Sequence, residues 1–327
     1  MQDDKMKIFV TRMIPMNGIE ILKKHYKNVE VWGENRTCPH DLLVQKASEC
    51  DALLTIGFDT VDEEVINHPN LKVISQVSVG INNIDLESAT KHHKPVSYTP
   101  YVLSDSCADF AWCLMLAAAR QLIPSTRYVS EGKWLHNDPK LFNGFDVFGK
   151  TLGIIGAGRI GQCIAKRGSG FSMRILYNGP HRKPELDATG ALYCTLDDLL
   201  SQSDFVVLAC TLNPTTQGLI GAEQLRKMKK TAILVNIARG PCVVTQDLID
   251  ALKNGTIAAA ALDVTDPEPL PVTSELMKLE NCIVSSHIAS ATIETRQKMS
   301  EISANAIVDA LNGKKVLYCA NPEVYDQ

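Results

Sequence analysis

Short β-branched and apolar runs alternate with stretches of helical spacing along nearly the whole chain, and this alternation constrains the fold more than any other feature. KIFVTR (Lys7 to Arg12) reads as a strand and NGIEILKKHY as the helix after it. VEVW, ALLTIG and LKVISQVS read as further strands, with helical patterns near Pro39 to Ser48 and Val61 to Asn67. Strands that are apolar on both faces belong in parallel sheets, because each crossover lays a helix on the sheet. The series runs out at PVSYTP, close to residue 100.

A long apolar helix follows, from Ser104 to Leu122, and then a more polar excursion from Ile123 to Gly149 that contains Trp134. The helix is apolar on more than one face, so it is expected to be buried on both sides or against a partner subunit. A second series then begins with TLGIIG, RILY, FVVLAC, AILVNIA, IAAAALDV and CIVSSH. Six strands with helices between them match the count of a dinucleotide-binding domain. The final helix, about Thr292 to Leu311, lies beyond that series and is expected to return to the first domain. The expected division is therefore residues 1–103 with 292–327, and 104–291, the latter including the helix and excursion of 104–149.

At 327 residues the chain is about two domains long. Charged residues make up 21% and apolar ones 45%, which suits a soluble globular core. A formal net charge of -4 argues against nucleic-acid binding by bulk electrostatics. No apolar run approaches the ~18 residues that span a membrane, and MQDDKMKIFV has no apolar signal core behind a basic region. The ten cysteines are scattered, with no C-x-x-C pair, and several lie inside apolar runs. That pattern fits structural thiols in a reducing, cytoplasmic setting, and no metal site is expected.

Gly156, Gly158 and Gly161 form G-x-G-x-x-G directly after the strand TLGII and at the start of the helix RIGQCIAKR. Such glycines permit a tight turn, a close backbone approach to pyrophosphate, and close packing of helix on strand. Pyrophosphate then meets the N–H groups at the positive end of the helix. An NAD site would next place Asp or Glu at the end of the second strand, for the ribose 2′-OH. Here RILY runs instead into Asn178, Gly179, Pro180, His181, Arg182 and Lys183. A carboxylate would repel a 2′-phosphate, whereas each charge-assisted hydrogen bond to one is worth about 1.5–3 kcal/mol. NADP is the expected cofactor, with NADPH preferred over NADH.

Three more segments fall at the carboxyl ends of strands, where open α/β sheets bind ligands. They are NIARGP with Arg239, LDVTDPEPLP with Asp263 and Glu268, and SSHIAS with His287. Singly, each has a bland reading: a surface ion pair, a rigid turn, a satisfied core imidazole. Together they suit a 2-oxo acid. A guanidinium can bind its carboxylate and polarise its carbonyl. An imidazole can donate a proton to the carbonyl oxygen as hydride arrives. Glu268, hydrogen-bonded to that ring, would orient it and favour its charged form. Asp263 is a candidate for a hydrogen-bonding group of the cofactor.

The segments VSVGINNIDL, GIIGAGRIGQ, LVNIARGPCVV, AAALDVTDPEPLP and SSHIASAT occur in an order and spacing that resemble the D-isomer-specific 2-hydroxyacid dehydrogenases, most closely the glyoxylate/hydroxypyruvate reductase branch. The resemblance covers nearly the whole chain. It implies an α/β protein of two doubly wound parallel-sheet domains, a Rossmann NADP-binding domain and a flavodoxin-like substrate domain. It implies that Arg239, Glu268 and His287 are the catalytic trio. It places backbone N–H groups of Val79 and Gly80 at the substrate carboxylate, assisted by Arg239 with Ser290 close by, in a cleft between the domains. It also lines the cofactor with Gly158, Arg159, Ile160, Thr211, Ile237 and Asp263, and implies a homodimer packed through the long helix and excursion.

Two departures stand out. The reductases of this branch carry a second tryptophan three residues after the position of Trp134, where this chain has Asn137. Gly168 and Gly170 fall where the glycine-loop helix should finish, at a cost of about 1 kcal/mol per glycine relative to alanine. The motifs also suit another member of the family, such as a phosphoglycerate dehydrogenase, or a dinucleotide-sensing scaffold like the corepressors that share the fold.

Overall fold

The computed structural model describes residues 2–326. They divide into two compact units, residues 2–103 with 291–326, and Ser104–Ser290. The second crossing of the chain thus falls one residue before the expected start at 292.

The first unit opens with β1 (Asp3–Val10), α1 (Met16–His25), β2 (Tyr26–Val31), α2 (His40–Glu49) and β3 (Ala52–Thr55). It continues through α3 (Glu63–Ile66), β4 (Val73–Gln76), α4 (Leu86–Lys91) and β5 (Val96–Ser97). The strands form one parallel sheet in the order β2-β1-β3-β4-β5, the flavodoxin-like doubly wound arrangement. β3 and β4 are buried at every residue, as continuous apolar runs in a covered sheet should be. β1 begins four residues before the expected Lys7. Its early part is polar and exposed and pairs Asp3 with Tyr26 across a register shift, so no hydrophobic alternation could mark it.

The second unit starts with α5 (Ser104–Ala119) and α6 (Leu122–Ser130). One helix was expected through Leu122, but the chain breaks at Gln121, which has a left-handed backbone (φ +50°), and then begins a new helix inside the expected excursion. Pro124 supplies the reason. In an uninterrupted helix its ring would clash with the Arg120 carbonyl, whereas in a first turn its missing N–H costs nothing. α5 itself is largely buried and docks through Trp112, whose indole donates to the Ile164 carbonyl at 3.1 Å and stacks on Phe171.

There follow β6 (Thr151–Ile155), α7 (Arg159–Gly168), β7 (Arg174–Asn178), α8 (Pro184–Asp187), β8 (Leu192–Tyr193), α9 (Leu196–Gln202) and β9 (Phe205–Leu208). The unit closes with α10 (Ala222–Lys227), β10 (Ile233–Asn236), α11 (Thr245–Lys253), β11 (Ala259–Leu262) and β12 (Cys282–Val284). All seven strands are parallel, in the order β12-β11-β10-β9-β6-β7-β8. From the β8 edge inward this is the 3-2-1-4-5-6 order of a dinucleotide-binding sheet, with one strand added beyond. β8 was not among the six expected strands: it is two residues long and exposed, with no alternation to read.

The last helix, α12 (Ile293–Leu311), belongs to the first unit. It is held there by Ser75 donating to the Ser303 carbonyl (2.9 Å), Ser300 to the Pro15 carbonyl (3.0 Å), and Asn17 to Glu301 (3.1 Å). Gly18 of α1 permits the contact, since a Cβ there would lie 2.0 Å from the Ser300 hydroxyl. No helix among the described residues is long and apolar enough to cross a membrane.

Candidate active site

The glycine loop joins β6 to α7, and its three glycines have separate reasons. Gly156 has φ +100°, and a Cβ on it would lie 2.4 Å from the Cys210 nitrogen. A Cβ on Gly161 would lie 2.2 Å from the Gly156 carbonyl oxygen. Protein packing alone therefore demands these two. A Cβ on Gly158 would meet nothing within 4 Å, so nothing in the protein itself asks for glycine there. A pyrophosphate passing close to the backbone does ask for it. Gly158 caps α7 without a side chain, and the first turn, Arg159 to Gln162, carries no acid to compete for its N–H groups. Arg159 is exposed and Ile160 half-buried on that turn. These residues fit a bound dinucleotide.

β7 ends at Asn178, the position where an acid would receive the ribose. The Asn178 carbonyl accepts from Gly156 (2.9 Å), and its carboxamide donates to the Cys194 carbonyl (2.9 Å), bracing the strand end against the glycine turn and β8. The loop beyond is organised by Tyr177, whose hydroxyl accepts from the Lys183 N–H (2.9 Å) and donates to Asp187 (2.7 Å). Asp187 also binds Arg182 through Nε at 2.6 Å. The Tyr177 hydroxyl first, and Arg182 after it, hold the Asp187 carboxyl below its usual range. His181 and Arg182 are exposed and Lys183 half-buried. The basic loop is thus ordered by an acid five residues along, a partner overlooked by a reading that stopped at Lys183.

Arg239, Glu268 and His287 follow β10, β11 and β12, three adjacent strands, at their carboxyl ends. The Asn236 side chain accepts from the Ala238 N–H (2.9 Å) and donates to the Arg239 carbonyl (3.0 Å), fixing the turn that carries Arg239. Gly240 lets this turn press against the next loop, for a Cβ there would lie 1.9 Å from the Thr265 carbonyl oxygen. Glu268 and His287 are joined by a 2.6 Å bond between Oε1 and Nδ1, each side chain partly exposed. A carboxylate only accepts, so Nδ1 carries the proton of this bond and Nε2 is the ring atom that can exchange one. His287 adopts φ +56°, a left-handed backbone unusual outside glycine.

Asp263 holds that conformation. It is 1% exposed, and its carboxylate accepts from the Ile288 N–H (2.8 Å), the Ala289 N–H (2.8 Å) and the Ser285 hydroxyl (2.7 Å). Its carbonyl accepts from the His287 N–H (2.9 Å). Four bonds from residues 285–289 make Asp263 the anchor of the histidine loop. Ser290 ends the same loop, half-buried. Ile237 follows β10 and is buried, and Thr211 is exposed just after β9.

Val79 and Gly80 lie in the first unit, after β4. Their loop is tied by Gln76, which donates to the Gly80 carbonyl (2.6 Å) and to Asn83 (2.9 Å), and by Asn83, which donates to the Asp59 carbonyl (2.7 Å). The N–H groups of Val79 and Gly80 make no hydrogen bond among the described residues. No group of His, Cys, Asp and Glu among those residues is arranged to hold a metal ion.

Residues 112–289 match the family model described as D-isomer specific 2-hydroxyacid dehydrogenase, NAD binding domain. A glyoxylate reductase of Thermococcus kodakarensis is 48% identical over 324 residues, 97% of either chain. A crystal structure from Thermus thermophilus superposes with a TM-score of 0.91 at 36% identity, covering 96% of this chain and all of the other. The NADPH-dependent glyoxylate/hydroxypyruvate reductase of Sinorhizobium meliloti, in complex with NADP and malonate, superposes with a TM-score of 0.86 at 26% identity over 98% of both chains.

Proposed function

Because the chain belongs to the D-isomer-specific 2-hydroxyacid dehydrogenases, and its close relatives include glyoxylate reductases, we propose that it reduces glyoxylate to glycolate and hydroxypyruvate to D-glycerate with NADPH. The observation that carries this reading is the 2.6 Å Glu268–His287 bond at the carboxyl end of the sheet that also bears the glycine loop.

Gly156, Gly158 and Gly161, the first turn of α7, Ile237 and Thr211 hold the dinucleotide in this reading, and when bound it supplies the hydride. The substrate carboxylate takes the N–H groups of Val79 and Gly80, with Arg239 and Ser290. The Arg239 guanidinium draws electron density from the carbonyl oxygen, and the charge that develops there is met by the proton on His287 Nε2. Glu268 keeps the ring in one orientation and offsets its positive charge before transfer. After transfer the neutral imidazole keeps its proton on Nδ1, donated to Glu268, and Nε2 is ready to act as base in reverse. Asn178, His181, Arg182 and Lys183 read the ribose phosphate. The scattered free thiols suit a reducing cytoplasm.

The same reading makes the protein a homodimer. Leu122, Ile123, Val129, Trp134, Leu135 and Phe148 are all exposed along α6 and the segment after it, with Leu135 at 85%. Exposed apolar side chains gathered along one segment support an interaction site there, and sedimentation at micromolar concentration measures it. The decisive test of the chemistry is His287→Asn. Turnover of glyoxylate should fall about 10²–10⁴-fold while NADPH binding, followed by fluorescence, stays near wild type. Undiminished turnover would remove His287 from the mechanism.

A further inference from the structure

Cys210 and Cys242 stand on two loops of the second unit with their sulfurs 4.0 Å apart. Cys210 is the second residue after β9, and Cys242 comes three residues after Arg239. Both are free thiols; Cys210 is half-buried and Cys242 fully buried. The Cys210 thiol hydrogen-bonds the Cys242 sulfur, which pushes the Cys242 thiol's pKa down, helped by the main chain and charge of Arg239. The same bond, with burial, pushes Cys210 up. The two sulfurs thus lie against each other and differ in acidity, as in a thiol pair placed to join in a disulfide.

We propose that Cys210 and Cys242 form a reversible oxidation site, at which peroxide converts the two thiols to a disulfide that ties the loop after β9 to the Arg239 loop and lowers turnover. The Cys242 thiolate attacks one peroxide oxygen, the O–O bond breaks, and the departing hydroxide takes up a proton as water. Cys210 then attacks the oxidised Cys242 sulfur, the S–O bond breaks, and a second water leaves with the Cys210 proton as the S–S bond forms. Two thiols lose two electrons and two protons, and one peroxide becomes two waters.

The consequence for turnover follows from how both loops are held. A disulfide needs its sulfurs about 2.05 Å apart, so the pair must close roughly half of its present separation. The Cys210 main chain already abuts Gly156, where even a Cβ would lie 2.4 Å from its nitrogen. Cys242 is tied through its N–H to the Arg239 carbonyl (3.2 Å) and through its carbonyl to the Ile220 N–H (3.0 Å). Closure therefore couples the loop that abuts the glycine turn to the loop that carries Arg239.

The test treats the full-length protein with hydrogen peroxide, blocks remaining thiols with iodoacetamide, and maps peptides without reductant. We expect a Cys210–Cys242 linked peptide, a several-fold loss of 2-oxo acid reduction, and recovery with dithiothreitol. Cys242→Val and, separately, Cys210→Ser should start at wild-type activity and resist peroxide. Absence of the linked peptide overturns the site, and equal loss in both variants overturns its control of turnover. The peptide map needs no substrate, so it decides the site even if the proposed activity fails.

Discussion

Two groups of loops at the carboxyl end of the second unit's sheet are built in opposite ways. Those after β10, β11 and β12 rest on a buried frame. Asp263 is 1% exposed and takes four bonds from the histidine loop, and Gly240 admits a contact that no Cβ would survive. The loop after β7 is a surface turn, with the Arg182 side chain 70% exposed and held through a single acid. Buried hydrogen bonds fix geometry because losing one leaves an unsatisfied group out of water. Exposed pairs are screened and worth little. The contrast separates two properties that one motif list runs together. In the proposed reading, reaction class rests on the packed frame, and the choice between NADPH and NADH on side chains that can change without disturbing it.

The largest expected effects break the buried side. Glu268→Gln leaves the ring a neutral partner, and turnover should fall by about 10² or more with dinucleotide affinity unchanged; a change in affinity alone would assign Glu268 to binding. Asp263→Ala strips the histidine loop of its anchor and leaves buried donors unpaired, at a cost on the order of 3 kcal/mol. Denaturant unfolding should register that loss, whereas a variant of wild-type stability and turnover would place the loop's support elsewhere.

Smaller effects probe the exposed side. Replacing Arg182 and Lys183 together by Ala should raise the KM for NADPH about tenfold or more while leaving that for NADH nearly unchanged. An equal rise for both would mean that the loop does not read the 2′-phosphate. Asp187→Asn should shift the NADPH KM by less than about fivefold, as expected of a solvent-screened pair. A larger shift would show that orientation of Arg182, and not its charge alone, is what the cofactor meets.

Much of this was legible in the chain, for reasons that also explain the gaps. Fully apolar runs such as ILVN and AAAL can only be covered parallel strands, so the two sheets and the carboxyl-end positions of Arg239, Glu268 and His287 follow from pattern. Asp263 was visible as a residue, but its bracing of the main chain was not, because a carboxylate that binds ligand and one that braces main chain look alike in sequence. Its signal was position, at the end of one inner strand beside another whose loop carries the histidine. β8 and the start of β1 were missed because two exposed residues, or a polar strand end, carry no periodicity. The break at Gln121 could have been read from Pro124, which an uninterrupted helix from Ser104 cannot accommodate with Arg120 behind it. Asp187 had a signal too: an acid five residues after Arg182, on the next helix.

The account is tested most directly by initial rates of the purified protein with glyoxylate, hydroxypyruvate and pyruvate, each against NADPH and NADH at neutral pH. It predicts rapid turnover of the first two acids, with NADPH favoured roughly 10–100-fold. Turnover with a preference for NADH would leave the buried frame intact and overturn the reading of the loop after β7. No turnover with any of the three acids would contradict the central claim that Arg239, Glu268 and His287 carry out 2-oxo acid reduction.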